Sequence, residues 1–291
     1  MLTDDEVPPV WRALGLPGLA DIHVHFLPDR MLDKVWRYFD EAETHYGRAW
    51  PIQYKLPETD RIDRLAQLGV HRFPTLAYPH KPGMAAWLND WCADFATTHP
   101  QAIRSGTFFP EPEAEAYVAT AIAGNTRVFK VHVQVGEFDP SQPVLDPVWG
   151  MLADAGVPVV VHCGSGPLPG RFTGPGPMAE VLRRHPSLTA VIAHAGAPEY
   201  AEHLALAERY DNVRLDTTMV GTPYLDDLAP IPPDVLARYR ELGHKIVLGS
   251  DFPNIPYSYA TQIRSLLDWD CGDDWLRQVL WTNGAQLLGL A

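Results

Sequence analysis

The sequence predicts a (β/α)8 TIM barrel on three observations: eight short apolar runs, helical patterns alternating with them, and titratable residues gathered where the runs end. The runs are 19–25 (LADIHVH), 69–76 (GVHRFPTL), 103–109 (IRSGTFF), 127–133 (RVFKVHV), 157–162 (VPVVVH), 189–194 (TAVIAH), 212–217 (NVRLDT) and 245–250 (KIVLGS). Helix-like stretches lie between them, among them 84–98, 113–123, 178–185, 199–210 and 233–242. Alternating strand and helix make parallel βαβ units, and eight such units point to a closed ring rather than an open sheet. A last helix, 273–289, is placed to seal the end of the ring.

The 291 residues suit one barrel of about 250 residues with an insertion. No break in composition and no Ser/Gly linker divides the chain, so residues 1–291 read as a single domain. The one long connection, 26–61 after the first strand, is rich in aromatics: Trp36, Tyr38, Phe39, Tyr46, Trp50 and Tyr54. It reads equally as an inserted region roofing a pocket and as an ordinary packed helix.

Hydrophobic residues make up 46% and charged residues 20%, which is the balance of a globular chain with a large core. The net charge of −13, with no basic run, argues against nucleic acid and acidic membranes as partners. A small-molecule substrate is the expected partner. The opening MLTDDEVPPVWRALGL has neither the basic start nor the apolar stretch of a signal peptide, and no apolar run elsewhere is long enough for a bilayer. Three widely spaced cysteines (Cys92, Cys163, Cys271) do not make a disulfide framework. The expected location is cytoplasmic.

His23 and His25 stand two apart on a strand, so their imidazoles share a face, with Ile22 and Val24 expected toward the helices. Two buried imidazoles need partners for their nitrogens, and a divalent metal supplies one. His-x-His alone is a weak signal. Its weight comes from the other strand ends: Lys130 and His132 on the fourth, His162 on the fifth, His194 on the sixth, and Asp251 directly after the eighth. A parallel barrel brings those ends to one mouth, where barrel active sites are built. Three imidazoles with a carboxylate suit zinc or a similar first-row ion.

Each residue also has a plainer reading. His162 and His194 could be satisfied core histidines, Asp251 could cap a turn, and Lys130 could pair with a carboxylate such as Asp216. Cys163 should point away from His162. The glycine- and proline-rich loop 164–177 lacks the Gly-Lys-Ser/Thr ending of a phosphate loop. It reads better as a shaped loop over the pocket, and its Arg171 offers a two-pronged donor for a substrate carboxylate. Tyr54, Tyr78, Asn254 and Tyr257 are weaker candidates on loops of the same face.

The stretches DIHVHFLP (21–28), FKVH (129–132), VHCGSG (161–166), AHAG (193–196) and GSDFP (249–253) resemble the amidohydrolase superfamily. Within it they resemble the amidohydrolase-related group that includes aminocarboxymuconate-semialdehyde decarboxylase. The resemblance spans nearly the whole barrel in the family's order. It implies that His23, His25, His162 and Asp251 bind one divalent metal, commonly zinc and sometimes manganese. It also implies that His194 sits beside the metal-bound water or substrate as a second ligand site or an acid/base. Lys130 then either stays unmodified or, as in binuclear members, is carbamylated between two metals, while His132 faces the substrate. Relatives of this kind often form homodimers.

A zinc ion acidifies its bound water toward neutrality, with Asp251 as proton acceptor and His194 as the group that orients water or stabilises developing charge. Such a site suffices for hydrolysis of an amide, ester or lactone. It suffices equally for non-oxidative decarboxylation, although the loop after His194 (HAGAPEY) lacks the decarboxylase's run of glycines.

Overall fold

A computed structural model describes residues 2–290. Its strands are β1 (Phe73–Pro74), β2 (Ala102–Ile103), β3 (Ser105–Thr107), β4 (Val128–His132), β5 (Val159–His162), β6 (Ala190–Ile192), β7 (Val213–Asp216) and β8 (Ile246–Val247). All pairings are parallel: β1 with β2, and β3 through β8 in sequence order. Only Arg104 separates β2 from β3, so the third predicted strand is one extended segment, pairing back to β1 and forward to β4.

Residues 19–25 close the ring without forming a ladder of their own. On one side Ile22 N donates to Leu248 O, Asp251 N to His23 O and His25 N to Phe252 O; on the other, Leu76 N donates to Val24 O. A single bridge, Val24 with Phe252, marks the pairing. The expected alternation fails at Ile22, where the chain bends. Asp21 turns outward to accept from the Tyr259 hydroxyl at 2.9 Å, and Ile22 turns inward instead of toward the helices. Val24 packs in the outer layer as expected, which keeps His23 and His25 on the inner face.

The core has two layers. Ile22, Leu76, Ile103, Val128, Val160, Val191 and Val247 fill the barrel interior, each from a different strand position, and Leu288 of the last helix joins them. The larger outer layer lies between strands and helices and includes Trp149, Tyr200, Tyr259 and Cys163. The helices Ala85–Thr98, Ala114–Ala123, Pro175–Arg184, Tyr200–Arg209 and Pro233–Glu241 fall within two or three residues of the sequence expectation. Among the described residues no helix is long and apolar enough to cross a membrane.

The insertion contains the helices Asp29–Asp40 and Ala42–Tyr46. Its first part is an ordinary packed helix, with Leu32 seated among Leu27, Met84, Leu88 and Cys92. Its far part reaches the loops that follow β7 and β8. Trp36 and Trp50 donate to the side chain and backbone of Asn254, Gln53 N donates to Ile255 O, and Arg48 lies over the ring of Tyr224 while pairing with Asp227. The packed-helix reading thus describes the first part, and the far part lies against the loops that follow β7 and β8.

The final helix is not continuous. It runs Asp273–Arg277, widens into a π turn at Gln278–Thr282, and resumes at Asn283–Leu288. The carbonyls of Val279 and Leu280, inside the wide turn, accept from Leu248 N and Ala20 N at 3.0 and 2.9 Å. The irregular turn thus supplies acceptors to the two strand positions where the ring closes. One turn on, Gly284 lies so close that a Cβ there would come within 2.3 Å of the Ala20 carbonyl. Gly284→Ala is expected to cost about 1–3 kcal/mol, as overpacking against backbone does; urea unfolding with an unchanged midpoint would contradict this sealing contact.

Candidate metal centre

His23, His25 and Asp251 come together at the mouth, with one ligand atom from each lying within 4.8 Å of the others. His23 and His25 arrive on the first extended segment and Asp251 just after β8. The bond from Asp251 N to His23 O at 2.8 Å fixes one against the other. Asp251 takes a left-handed backbone, φ 65°, as do His194 (φ 54°) and Ala195 (φ 48°). That conformation costs a non-glycine residue about 1–2 kcal/mol, so surrounding bonds must hold it.

Asp216, at the end of β7 and fully buried, provides several of those bonds. One carboxylate oxygen accepts from His194 N at 2.8 Å and Thr218 N at 3.0 Å; the other accepts from His23 Nδ1 at 2.8 Å. Burial alone would raise this carboxyl, but His23 beside it brings it down to about 2. His23 itself is pushed down to about 3, first by burial and then by Lys130, and is therefore neutral with its proton on Nδ1. Gly249 makes room for this arrangement: a Cβ there would lie 2.5 Å from Thr218 Oγ1 and 3.0 Å from Asp216 Cγ.

His25 is oriented the same way by a different acceptor, the Leu76 carbonyl at 2.6 Å from Nδ1. Its Nε2 faces Asp251 Oδ1 at 2.8 Å. Two acceptor atoms that close require a positive centre between them, a proton or a metal ion. Burial works to raise the Asp251 carboxyl, but the hydrogen bond from His25 and the nearby His23 outweigh it, so it stays ionised. Both imidazoles thus spend Nδ1 on an outer acceptor and turn Nε2 toward one carboxylate, the usual preparation of metal-ligating histidine. The donor set fits a divalent ion.

The other expected residues surround this group. Lys130 Nζ lies 3.0 Å from His23 Nε2, and burial lowers its ammonium to about 8. His194 stands 5.4 Å from His23 and 4.7 Å from His162 between ring centroids, and burial lowers its pKa. His162 is turned aside. Its Nε2 faces the Gly166 carbonyl at 3.1 Å and its ring stacks on His132 at 3.8 Å, outside the three-atom group. Arg171 is exposed, its guanidinium 5.0 Å from the ring centroid of its neighbour Phe172. Cys163 points outward, as expected, toward His203 at 3.7 Å.

Sequence reasoning named Asp216 only as a partner for Lys130 and passed over its hold on His23. It passed over Asp21 altogether, whose Oδ1 accepts from His23 N and Ser250 N and so joins the first strand to the residue before Asp251. Asp216 ends β7, so the rule that found Asp251 could have found it; Asp21, near the start of its segment and turned outward, lay outside that rule.

A family model described as amidohydrolase matches residues 20–290. The chain belongs to the amidohydrolase family. No curated protein matches it by sequence comparison. Among solved structures, an uncharacterised TIM-barrel protein from Bordetella bronchiseptica is 20% identical, with TM-score 0.75 over 93% of this chain and 98% of that one. A 5-carboxyvanillate decarboxylase from Novosphingobium aromaticivorans, complexed with manganese and 4-hydroxy-3-methoxy-5-nitrobenzoic acid, is 15% identical (TM-score 0.62, 94% and 97% covered). A probable 2-pyrone-4,6-dicarboxylic acid hydrolase from Acinetobacter baumannii, with citric acid bound, is 12% identical (TM-score 0.61, 94% and 99% covered). At such identities the amidohydrolase and its structural neighbours share the fold, a parallel α/β barrel.

Two outcomes are expected. Asp216→Asn should weaken zinc binding about 10–100-fold, because it disturbs the hydrogen bond that orients His23; competition with a chromophoric chelator measures this, and unchanged affinity would refute the role. The second concerns acid. Burial lowers His23, His132, His162 and His194 below the ordinary value of 6.5. Below that pH the unfolded histidines take up protons that the folded rings refuse, so stability present above 6.5 is lost as pH falls. Asp21, raised by burial to about 7, acts in the opposite sense but is one group against four. The urea midpoint of chelated protein should fall from pH 7 to pH 5, and a flat midpoint would contradict the neutral assignment.

Proposed function

We propose that the chain is a metal-dependent hydrolase acting on a small organic amide, ester or lactone. One divalent ion, zinc first and manganese second, would be held by His23, His25, His162 and Asp251. The observation that carries this reading is the convergence of two Nε2 atoms and an ionised carboxylate, with both Nδ1 atoms already satisfied. His162 would join once its ring leaves the Gly166 carbonyl. When bound, the ion supplies a Lewis acid and an acidified water.

The chain's own groups would do the rest. Asp251, kept ionised by His25, would accept the proton released in attack. His194, kept neutral by burial, would donate a hydrogen bond to charge developing on the substrate or hold the attacking water in line. Lys130 would turn from His23 toward the adjacent carboxylates and keep the pocket positive. Arg171, on the loop over the mouth, remains our proposed outer contact for a substrate carboxylate. Residues 1–291 are read as one catalytic domain, cytoplasmic in keeping with three free cysteines, working on a small molecule and free to pair as a homodimer.

The second reading is a non-oxidative decarboxylase, favoured by the shared fold of the manganese-containing 5-carboxyvanillate decarboxylase. A panel of lactones, esters and amides set against aromatic acids, with released carbon dioxide measured, separates the two. Purified protein is expected to carry about one metal equivalent per chain; two would indicate a carbamylated Lys130. Asp251→Asn should abolish turnover while circular dichroism stays native, and full activity would refute its role. His194→Ala should slow turnover yet keep most of the metal, and loss of the metal would make it a ligand.

A further inference from the structure

The wall beside the three-atom group carries two hydrogen-bond donors that no other described residue uses. Tyr78, four residues past β1, is half-buried with its ring 5.6 Å from His25 and 5.0 Å from His132. Among the described residues its hydroxyl has no hydrogen-bond partner, whereas the buried tyrosines Tyr54 and Tyr259 both spend theirs on carboxylates. A phenol ionises near 10 in water, so this one is a donor at neutral pH.

His132 completes the pair through its tautomer. Val135 N donates to His132 Nδ1 at 3.3 Å. A neutral imidazole that accepts at Nδ1 carries its proton on Nε2. That Nε2–H likewise has no acceptor among the described residues. The ring cannot swing away freely, because it is stacked on His162 at 3.8 Å with planes 13° apart and has Tyr78 on another side. Both side chains keep some exposed surface, so a molecule entering the mouth can reach them.

We propose that Tyr78 and His132 form a two-donor wall that binds an oxygen substituent of the substrate, a carboxylate or a carbonyl, and aims the substrate at the group formed by His23, His25 and Asp251. The proposal rests on the metal-dependent reading and names its substrate class: a small molecule bearing an oxyanion or carbonyl oxygen beside the reacting bond. Arg171, exposed and lying over Phe172, is then an outer contact at most. Tyr78 acts by touching substrate, so its loss should change binding without touching metal content.

The test is calorimetric titration of benzoate, a minimal carboxylate probe, into zinc-loaded and chelated protein. Wild type is compared with Tyr78→Phe and His132→Phe, with zinc content measured alongside. Tyr78→Phe keeps the ring and removes a hydroxyl that holds nothing, so the fold has no reason to change. A bond from a neutral donor to a carboxylate leads us to expect benzoate affinity to fall about tenfold or more in each variant, with zinc per chain unchanged in Tyr78→Phe. Equal affinity in wild type and Tyr78→Phe, or no benzoate binding by zinc-loaded wild type, overturns the wall. Failure to take up zinc at all overturns the metal reading instead. The chelated titration then decides the wall: a tenfold loss in Tyr78→Phe sustains it, and equal or absent binding overturns it.

Discussion

A buried carboxylate between three backbone segments organises the mouth of this barrel. Asp216 has no solvent contact, yet every acceptor position it uses is filled by a donor that matters elsewhere: His194 N, Thr218 N and His23 Nδ1. The first of these helps hold the left-handed turn at His194, and the last fixes which nitrogen of His23 turns inward. An isolated carboxylate would be expensive to bury. With three N–H donors and the ammonium of Lys130 nearby it stays ionised. Remove it and the imidazole, the strained turn and the lysine each lose their reference point.

The same economy recurs in the way the ring closes. The first extended segment makes few regular ladder bonds, and its neighbours are irregular too: a bend at Ile22, a positive φ at Asp251, a π turn at Gln278–Thr282. Regular strands would have placed Asp21, His23 and His25 on one face. The bend sends Asp21 outward to Tyr259, whose backbone N–H in turn donates to the Tyr54 hydroxyl, itself bonded to Asp4. A polar chain therefore runs from the N-terminal segment to the back of the His23–His25–Asp251 group. Irregularity at such a place is expected, since a site needs side chains aimed by something other than the pleat.

Much of this is legible in the amino-acid sequence itself. The strands were readable because a parallel barrel buries them on both faces, which leaves short apolar runs between helical patterns. The strand-end residues were readable because the barrel has one functional mouth. What could not be read depends on atoms with no side-chain signature. The Leu76 carbonyl that orients His25 and the Gly166 carbonyl that turns His162 aside are backbone groups, placed only by ring closure and by the loop 164–177. Ile22 went astray because a period of two assumes an unbroken pleat. Asp216 was within reach of the rule used for Asp251 but was read as a counter-ion, since nothing in NVRLDT shows that its carboxylate faces a histidine from the first strand.

The central claim is that His23, His25 and Asp251, which lie at opposite ends of the chain, share one cation. X-ray absorption of zinc-loaded protein tests it most directly. The account requires nitrogen and oxygen scatterers at about 2.0–2.2 Å, no sulfur, and outer-shell scattering from two or three imidazoles that diminishes in His25→Ala. A spectrum with sulfur in it, without imidazole, or indifferent to that substitution would place the metal elsewhere and contradict the account.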